Sequence, residues 1–223
     1  MPDLAAARRA RLARARLYLV TGCRRQHGEL SEFLDAVLAA GVDIVQLREK
    51  DAEAGDLLRC AAIFRKAADR HDALFILNDR ADVALAAGAD GVHLGQNDLS
   101  ARHARRILGD DLLIGISTHS AEEFEAASPD ADYLSAGPVY ATPTKPGRTA
   151  TGLGFVRVAA ALCLERAAVR PWFAIGGIDA STIDAVMLAG AERVAVVRAV
   201  TEAEDPAVAV AGLIEQIAER TAP

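Results

Sequence analysis

Aromatic residues are scarce in this 223-residue chain, at 4%, although hydrophobic residues of all kinds make up 52%. We therefore expect a core built from Ala, Val, Leu and Ile. No apolar run approaches the ~18 residues that a membrane-spanning helix needs, and the Arg- and Ala-rich N-terminus lacks the apolar segment of a secretory signal. The net charge of −6 disfavours nucleic-acid and anionic-membrane partners. These absences favour a globular cytoplasmic protein.

Cysteine is equally rare. The three cysteines, Cys23, Cys60 and Cys163, are odd in number and scattered along the chain. Their positions match neither a disulfide framework nor the spacing of metal ligands. We therefore expect free thiols in a reducing cytoplasm, and no catalytic cysteine.

The chain instead contains short apolar segments that alternate with longer Ala- and Leu-rich stretches typical of helices. The segments are short and mostly apolar, as parallel strands covered by helices should be. Eight are predicted as strands: Leu17–Thr21, Ile44–Arg48, Leu74–Asn78, Gly91–Leu94, Leu113–Ser117, Tyr133–Ala136, Trp172–Ile175 and Arg193–Val197.

A recurring helix-to-strand joint supports a repeated architecture. Gly41, Gly88 and Gly190 each follow a Leu-Ala stretch and precede a predicted strand. Roughly 24 residues per βα unit, repeated eight times, favours an α/β fold of the (β/α)₈ TIM-barrel type. A doubly wound sheet is the alternative, but it usually carries a glycine-rich fingerprint after its first strand, and residues 21–25 lack one. We predict an N-terminal extension over residues 1–15, as an extra helix, and a single catalytic barrel domain over residues 16–223.

Chemistry in such a barrel sits at the carboxyl ends of the strands, and polar residues gather there. Only three of the 25 basic residues are lysines, and two of them, Lys50 and Lys145, fall in these segments. An ammonium group is a common phosphate binder. Taken singly, Asp79 and Asp98 could cap helices and Arg48 could be a solvated surface charge. Their coincidence on one rim favours a site.

The rim residues form a chemically coherent set. Asp79 and Asp98 offer hard oxygen ligands for Mg²⁺, and a metal ion beside cationic side chains can hold a diphosphate. Gly177 and the pair Val197–Arg198 fall at the recurrent monophosphate site of this fold, after strands seven and eight. Cations and neutral hydrogen-bonding groups complete the set: Arg48, Lys50, Lys145, Gln46, Asn78 and Ser117.

At these residues the sequence resembles the thiamine-phosphate synthase family, over nearly the whole chain. The resemblance is carried by six segments in order: Gln46–Lys50, Asn78–Asp79, Gly91–Asp98, Ile116–Ser117, Gly137–Lys145 and Ala174–Ile178. It implies a TIM barrel that joins a hydroxymethylpyrimidine diphosphate to a thiazole phosphate, or its carboxylated form, with loss of pyrophosphate. It also implies that the reaction is dissociative and passes through a pyrimidine carbocation.

The resemblance assigns roles residue by residue. It places Mg²⁺ on Asp79 and Asp98, and catalytic roles on Arg48, Lys50, Ser117 and Lys145. The pyrimidine diphosphate is expected at Gln46, Arg48, Glu49, Lys50, Asn78, Ser117 and Lys145. The thiazole phosphate is expected at Thr142, Thr144, Gly177, Val197 and Arg198.

Several points stay open at the level of sequence. Arg198 stands where the family often has Ser, which is harmless if backbone N–H groups hold the phosphate. The loop Gly137–Thr151 has the length and composition of a lid. Two alternative functions stay open: a thiazole tautomerase of the same fold, and a non-catalytic sensor of phosphorylated ligands. Barrels of this size often pair as homodimers, and the sequence does not decide the oligomeric state.

Overall fold

A computed structural model describes residues 4–24, 29–142, 149–164 and 170–221. Eight parallel strands pair in sequence order, and β1 pairs with β8, so the sheet closes into a barrel. This confirms the predicted (β/α)₈ fold. The strands are β1 Leu17–Thr21, β2 Ile44–Leu47, β3 Leu74–Asn78, β4 Gly91–Leu94, β5 Leu113–Thr118, β6 Tyr133–Ala136, β7 Trp172–Ile175 and β8 Val194–Val196.

Helices precede the first strand and follow every strand. Asp205 begins the last helix by accepting hydrogen bonds from the backbone N–H groups of Ala207 and Val208, ahead of a proline at the first helical position. The helices are α1 Leu4–Arg14, α2 Leu30–Ala39, α3 Ala54–Arg70, α4 Ala81–Ala86, α5 Ala101–Leu108, α6 Ala121–Glu125, α7 Gly152–Leu164, α8 Ile183–Leu188, α9 Arg198–Thr201 and α10 Pro206–Thr221. Within the described ranges, none of them is both long and apolar enough to cross a membrane.

The strand predictions differ from the structure only at strand ends. β2 ends at Leu47, β5 extends to Thr118, and β8 is confined to Val194–Val196. The other five strands have the predicted bounds. Arg48 still pairs locally, because its backbone N–H donates to the carbonyl of Thr21 at 2.9 Å. The shift places Arg48 just beyond the strand, at the rim.

Side chains alternate between the barrel interior and the layer under the helices. The outer layer is largely aliphatic, as the composition predicts, and includes Leu19 and Val45. The interior differs from that prediction, because its centre is formed by the rings of Tyr18, Tyr133 and Phe173, whose centroids lie 5.3–6.1 Å apart. Composition counts aromatic residues but carries no information on where the few present will gather.

A carboxylate just before β2, β4 and β6 ties each of these strands to the preceding one. Asp43 accepts the backbone N–H of Leu17 at 2.9 Å, Asp90 accepts that of Phe75 at 2.9 Å, and Asp132 accepts that of Ile114 at 2.9 Å. Asp43, Asp90 and Asp132 come immediately before β2, β4 and β6. Each binds the first or second residue of the preceding strand. These aspartates therefore stabilise the amino-terminal end of the barrel.

Helix α1 covers this same end. Its Leu12 packs with the interior cluster, and its Arg8 and Arg9 form ion pairs with Asp90 at 2.9 Å and Asp132 at 3.0 Å. The amino-terminal mouth of the barrel is thus closed by apolar contacts and by paired charges.

The prediction that all cysteines are free thiols was wrong. Cys23, in the loop after β1, and Cys60, on α3, form a disulfide with their Cα atoms 5.9 Å apart, and Cys163 is not disulfide-bonded. The two partners are 37 residues apart, and only the docking of α3 beside the end of β1 brings them together. Their spacing alone carried no such signal.

Candidate active site at the carboxyl end of the barrel

The predicted acidic pair comes together beyond β3 and β4. Asp79 follows β3 directly in a left-handed conformation (φ 64°), and its N–H donates to the carbonyl of His93 at 2.8 Å. Asp98 accepts the N–H of Gly95 at 2.7 Å, which holds the loop after β4. The two carboxyl groups lie within hydrogen-bonding reach of each other. Neither aspartate caps a helix, because α4 has its N-cap at Arg80 and α5 at Ser100.

The electrostatics of the pair are unlike those of an ordinary surface carboxylate. Partial burial and the neighbouring Asp98 carboxylate raise the pKa of Asp79 to about 6, against the opposing charges of Lys50 and Arg48. Two carboxylates so close resist double ionisation, and a nearby cation relieves that repulsion. Four charged groups from the loops after β2, β3 and β4 therefore form one cluster.

The segment after β2 supplies the cations and a structural carboxylate. Arg48 is half-buried and Lys50 exposed, as expected for groups that would meet a ligand from solution. Glu49, which the resemblance assigns to the pyrimidine diphosphate, accepts the N–H of Cys23 at 2.6 Å. In this structure Glu49 holds the loop after β1 against the loop after β2.

Neutral polar groups line the interior just beneath the rim. Ser117, on β5, and Gln46, on β2, are buried side chains of the barrel interior, and Asn78 is the half-buried last residue of β3. Ser117 contacts His93, whose Nε2 lies 3.0 Å from the Ser117 Oγ. The described residues of the predicted pyrimidine side therefore lie on β2 to β5 or just beyond their ends.

A cavity of about 540 Å³ occupies the other side of the mouth. Its wall includes Ser117, Thr142, Gly177, Val197 and Arg198, so most of the predicted thiazole-phosphate residues converge there. Gly176 and Gly177 both have positive φ, 106° and 65°, and a Cβ on Gly177 would lie 2.7 Å from the Tyr140 Cβ. The turn after β7 thus needs glycine for both its conformation and its close packing.

Some predicted residues lie outside the described residues. Thr144 and Lys145 are among them, as is the middle of the predicted lid, residues 143–148. Arg198 is described: its side chain is exposed and reaches Glu202 at 3.7 Å.

Sequence reasoning left three interior residues without a role. These residues are His93, Tyr18 and Tyr133. All three are buried, and His93 and Tyr133 are in contact. The available signal was strand alternation, since each lies on the interior face of its strand along with residues of the predicted site.

The donor set at the acidic pair fits a hard divalent cation. Carboxylate oxygens are the ligands that Mg²⁺ prefers, and it commonly takes one or two from the protein, the rest coming from phosphates and water. Across the described part of the chain, no group of three or more His, Cys, Asp or Glu side chains is placed to hold a metal. A metal at Asp79 and Asp98 would therefore take its remaining ligands from a substrate or from water.

A closed parallel barrel whose polar groups converge on a cavity at its carboxyl mouth defines a class, the (β/α)₈ barrel enzymes. Within that class, the sequence profile described as thiamine monophosphate synthase matches residues 17–200. The chain belongs to the thiamine monophosphate synthase family, and it is an enzyme, a transferase of thiamine biosynthesis.

Individual relatives agree with this assignment. The chain is 54% identical over 212 residues to "Thiamine-phosphate synthase" of Acidothermus cellulolyticus, covering 94% of this chain and 98% of the relative. It is 56% identical over 207 residues to the protein of the same name from Thermobifida fusca, covering 92% and 93% of the two chains. Among solved structures, "Thiamine phosphate pyrophosphorylase from Pyrococcus furiosus" superposes with a TM-score of 0.82 at 33% identity, covering 96% of this chain and 99% of that one.

Proposed function

We propose that this enzyme condenses 4-amino-2-methyl-5-hydroxymethylpyrimidine diphosphate with 4-methyl-5-(2-hydroxyethyl)thiazole phosphate, or its carboxylated form. The products are thiamine phosphate and pyrophosphate. The observation that carries the proposal is the division of the barrel mouth: charged groups of both signs cluster over β2 to β4, and a roomy cavity opens over β5 to β8. A diphosphate suits the first half, and a phosphorylated heterocycle suits the second.

The proposed reaction begins with heterolytic cleavage of the bond between the pyrimidine methylene carbon and the diphosphate oxygen. The bonding pair leaves with pyrophosphate, and the thiazole nitrogen then donates its lone pair to the methylene carbon. No side chain need act as a nucleophile. The protein contributes by stabilising the leaving group, aligning the partners and excluding water.

The residues near the acidic pair suit the stabilisation of a departing diphosphate. Arg48 and Lys50 balance the charge that develops on the departing diphosphate, and Lys145 is predicted to do the same from the loop after β6. Asp79 and Asp98 would hold Mg²⁺, which when bound supplies charge neutralisation to the diphosphate. Ser117 lies between the halves, because it lines the cavity and belongs to the predicted diphosphate set.

The thiazole phosphate is proposed to bind at the turn after β7 and the segment after β8. Gly177 and Val197–Arg198 line the cavity, and loops at these two positions hold phosphate in many barrels of this type. Backbone N–H groups are well suited to a dianion, which makes the identity of side chain 198 less critical.

The test is pyrophosphate release from the purified protein with Mg²⁺ and both substrates. We expect release to match the thiamine phosphate formed, and to stop when the thiazole is omitted or Mg²⁺ is chelated. Isomerisation of the thiazole phosphate without need of the pyrimidine would instead indicate a tautomerase. Ligand binding with no turnover would indicate a sensor, and either result would overturn the proposal.

A further inference from the structure

An unbroken run of buried polar side chains crosses the inside of the barrel, and we call it the interior network: Gln46, Tyr18, Tyr133, His93 and Ser117. Gln46 Nε2 donates to the Tyr18 hydroxyl at 2.6 Å, and the Tyr18 and Tyr133 hydroxyls lie 3.0 Å apart. The Tyr133 hydroxyl is 3.1 Å from His93 Nδ1, and His93 Nε2 is 3.0 Å from Ser117 Oγ. Five different strands each contribute one member.

The network is almost wholly buried, and Ser117 is the member that borders the cavity. All five side chains are buried, none with more than 7% of its surface exposed. Gly115 makes room for it: a Cβ there would lie 2.1 Å from the Tyr133 ring, so a side chain at position 115 would displace the phenol. Burial raises the pKa of both tyrosines well above the ordinary value, so both stay protonated and each has a single hydrogen to donate.

The Gln46 end of the interior network sets the direction of its hydrogen bonds. The amide nitrogen of Gln46 only donates, so Tyr18 accepts from it and must use its own hydrogen on Tyr133. Tyr133 then accepts from Tyr18 and donates to His93 Nδ1. A neutral imidazole that accepts at Nδ1 carries its hydrogen on Nε2, which faces Ser117.

A charged imidazole does not fit this arrangement. With hydrogens on both ring nitrogens, His93 would donate to Tyr133, and Tyr133 would have to donate to Tyr18. Tyr18 already accepts from Gln46, so its own hydrogen would be left without an acceptor inside the network. A buried donor without a partner destabilises the folded state, which favours the neutral ring.

We propose that His93 is a positioning residue, held by Gln46 and the two tyrosines as the Nε2–H tautomer, which makes Ser117 an acceptor from His93 and a hydrogen donor to an anionic oxygen of the substrate. Ser117 lines the 540 Å³ cavity, so its hydroxyl hydrogen has the cavity to point into. The role of Ser117 toward substrate rests on the proposed function. The tautomer of His93 rests on the interior network alone.

The first test reads the tautomer directly. In the ¹⁵N spectrum of the imidazoles we expect His93, identified among the five histidines by the loss of its signals in His93→Gln, to show a protonated Nε2 and an unprotonated Nδ1. A protonated Nδ1, alone or together with Nε2, would overturn the inference. This measurement needs no substrate, so it holds whether or not the proposed reaction is correct.

A matched pair of variants tests whether Gln46 sets the direction. Gln46→Glu replaces a donor with an acceptor at alkaline pH, so every bond should reverse and the hydrogen should move to Nδ1. Gln96→Glu is the control: Gln96 is exposed and donates to the Ser117 backbone carbonyl at 2.6 Å, outside the network. We expect it to leave the tautomer unchanged. The same Nε2–H signature in Gln46→Glu would overturn the claim for Gln46.

The second test connects the tautomer to ligand binding, with inorganic pyrophosphate and Mg²⁺ as the probe. His93→Leu should weaken binding about tenfold, as should Ser117→Ala, because a hydrogen bond to an anion is lost or disordered. His93→Gln should bind within about threefold of the parent, since its amide can still donate to Ser117. Equal losses of pyrophosphate binding in His93→Gln and His93→Leu would overturn the positioning role. Unchanged binding in His93→Leu or in Ser117→Ala would also overturn it. Failure of the proposed function would look different: an intact Nε2–H signature in a protein that releases no pyrophosphate.

Discussion

The two ends of the barrel contain the same residue types in opposite electrostatic situations. At the amino-terminal end, Asp90 is paired with Arg8 and Arg65 at 2.9 and 2.7 Å, and these partners, with the Phe75 N–H, outweigh burial and lower its pKa. At the carboxyl end, burial and Asp98 raise the pKa of Asp79 to about 6. One carboxylate has its partners built into the fold, and the other faces a like charge.

This difference separates stability from function. A buried carboxylate with its arginines contributes to the folded state, whereas two adjacent carboxylates weaken it until a cation binds. The proposed function uses the second end, where the cavity opens. The predictions below test the contrast, beginning with the largest expected effect.

The largest effect on turnover is expected from Asp79→Asn. The variant loses one of the two carboxylates proposed to hold Mg²⁺, so pyrophosphate release should fall at least about a hundredfold, or ~2.7 kcal/mol of transition-state stabilisation. The matched control is Asp82→Asn, an exposed aspartate on α4 that pairs with Arg80 at 2.7 Å. It should retain parental activity. Unchanged Mg²⁺ dependence in Asp79→Asn would contradict the metal assignment.

At the opposite end, Asp90→Asn should mainly affect stability. The change leaves Arg8 and Arg65 without their buried carboxylate and should lower the free energy of unfolding by about 3 kcal/mol near neutral pH. Because the folded-state pKa is lowered, this contribution is present above the unfolded pKa of about 3.9 and disappears as pH falls through the folded value. Denaturant titrations from neutral to acid pH measure the loss of stability and its dependence on pH.

The control for Asp90 is Asp69→Asn, which removes the other, exposed carboxylate partner of Arg65, at 2.8 Å. It should change stability by less than about 1 kcal/mol. A comparable loss in both variants would mean that burial does not separate the two pairs. A large drop in turnover of folded Asp90→Asn would contradict the division between the ends.

A smaller effect of opposite sign is expected for the stability of Asp79→Asn without metal. The raised pKa means that folding of the parent is favoured while Asp79 is protonated, and that stability is lost as pH rises from about 4 to about 6. The variant cannot ionise, so it should be more stable than the parent above about pH 6. The melting temperatures should converge at acid pH. A less stable variant at neutral pH would contradict the repulsion between Asp79 and Asp98.

The smallest effect is expected from Arg198→Ser. The guanidinium is exposed and reaches Glu202 at 3.7 Å, one helical turn away, and such pairs contribute about 0.3–0.5 kcal/mol. The KM for the thiazole phosphate should stay within about threefold if backbone groups hold the phosphate. A tenfold rise in KM would show that the guanidinium itself binds the anion. A stability measurement on the same variant would separate that result from misfolding.

The fold was largely predictable because its causes are local and repeated. Alternation of apolar strand segments with helix-like stretches, and the glycine joint at Gly41, Gly88 and Gly190, are visible without any tertiary contact. The acidic pair was also predictable, because in a parallel barrel every residue that follows a strand lies on the same rim. The predicted ends of β2 and β8 differ from the observed ones because a strand ends where its pairing with a neighbouring strand stops.

Other features depend on contacts between residues far apart in sequence. The Cys23–Cys60 disulfide, the use of Glu49 to hold the loop after β1, and the interior network all require strands and helices to be docked first. Their single residues look ordinary: a scattered thiol, a loop carboxylate, a core histidine. Nothing in spacing distinguishes them.

By itself, then, the sequence determined the eight-fold repeat and the rim on which the polar residues fall, because periodicity and strand direction are properties of neighbouring residues. Only the tertiary structure decided which of those residues meet and with what charge. The pKa of Asp79 and the hydrogen-bond direction at His93 are set by distances across the barrel, and such distances exist only after the barrel has closed.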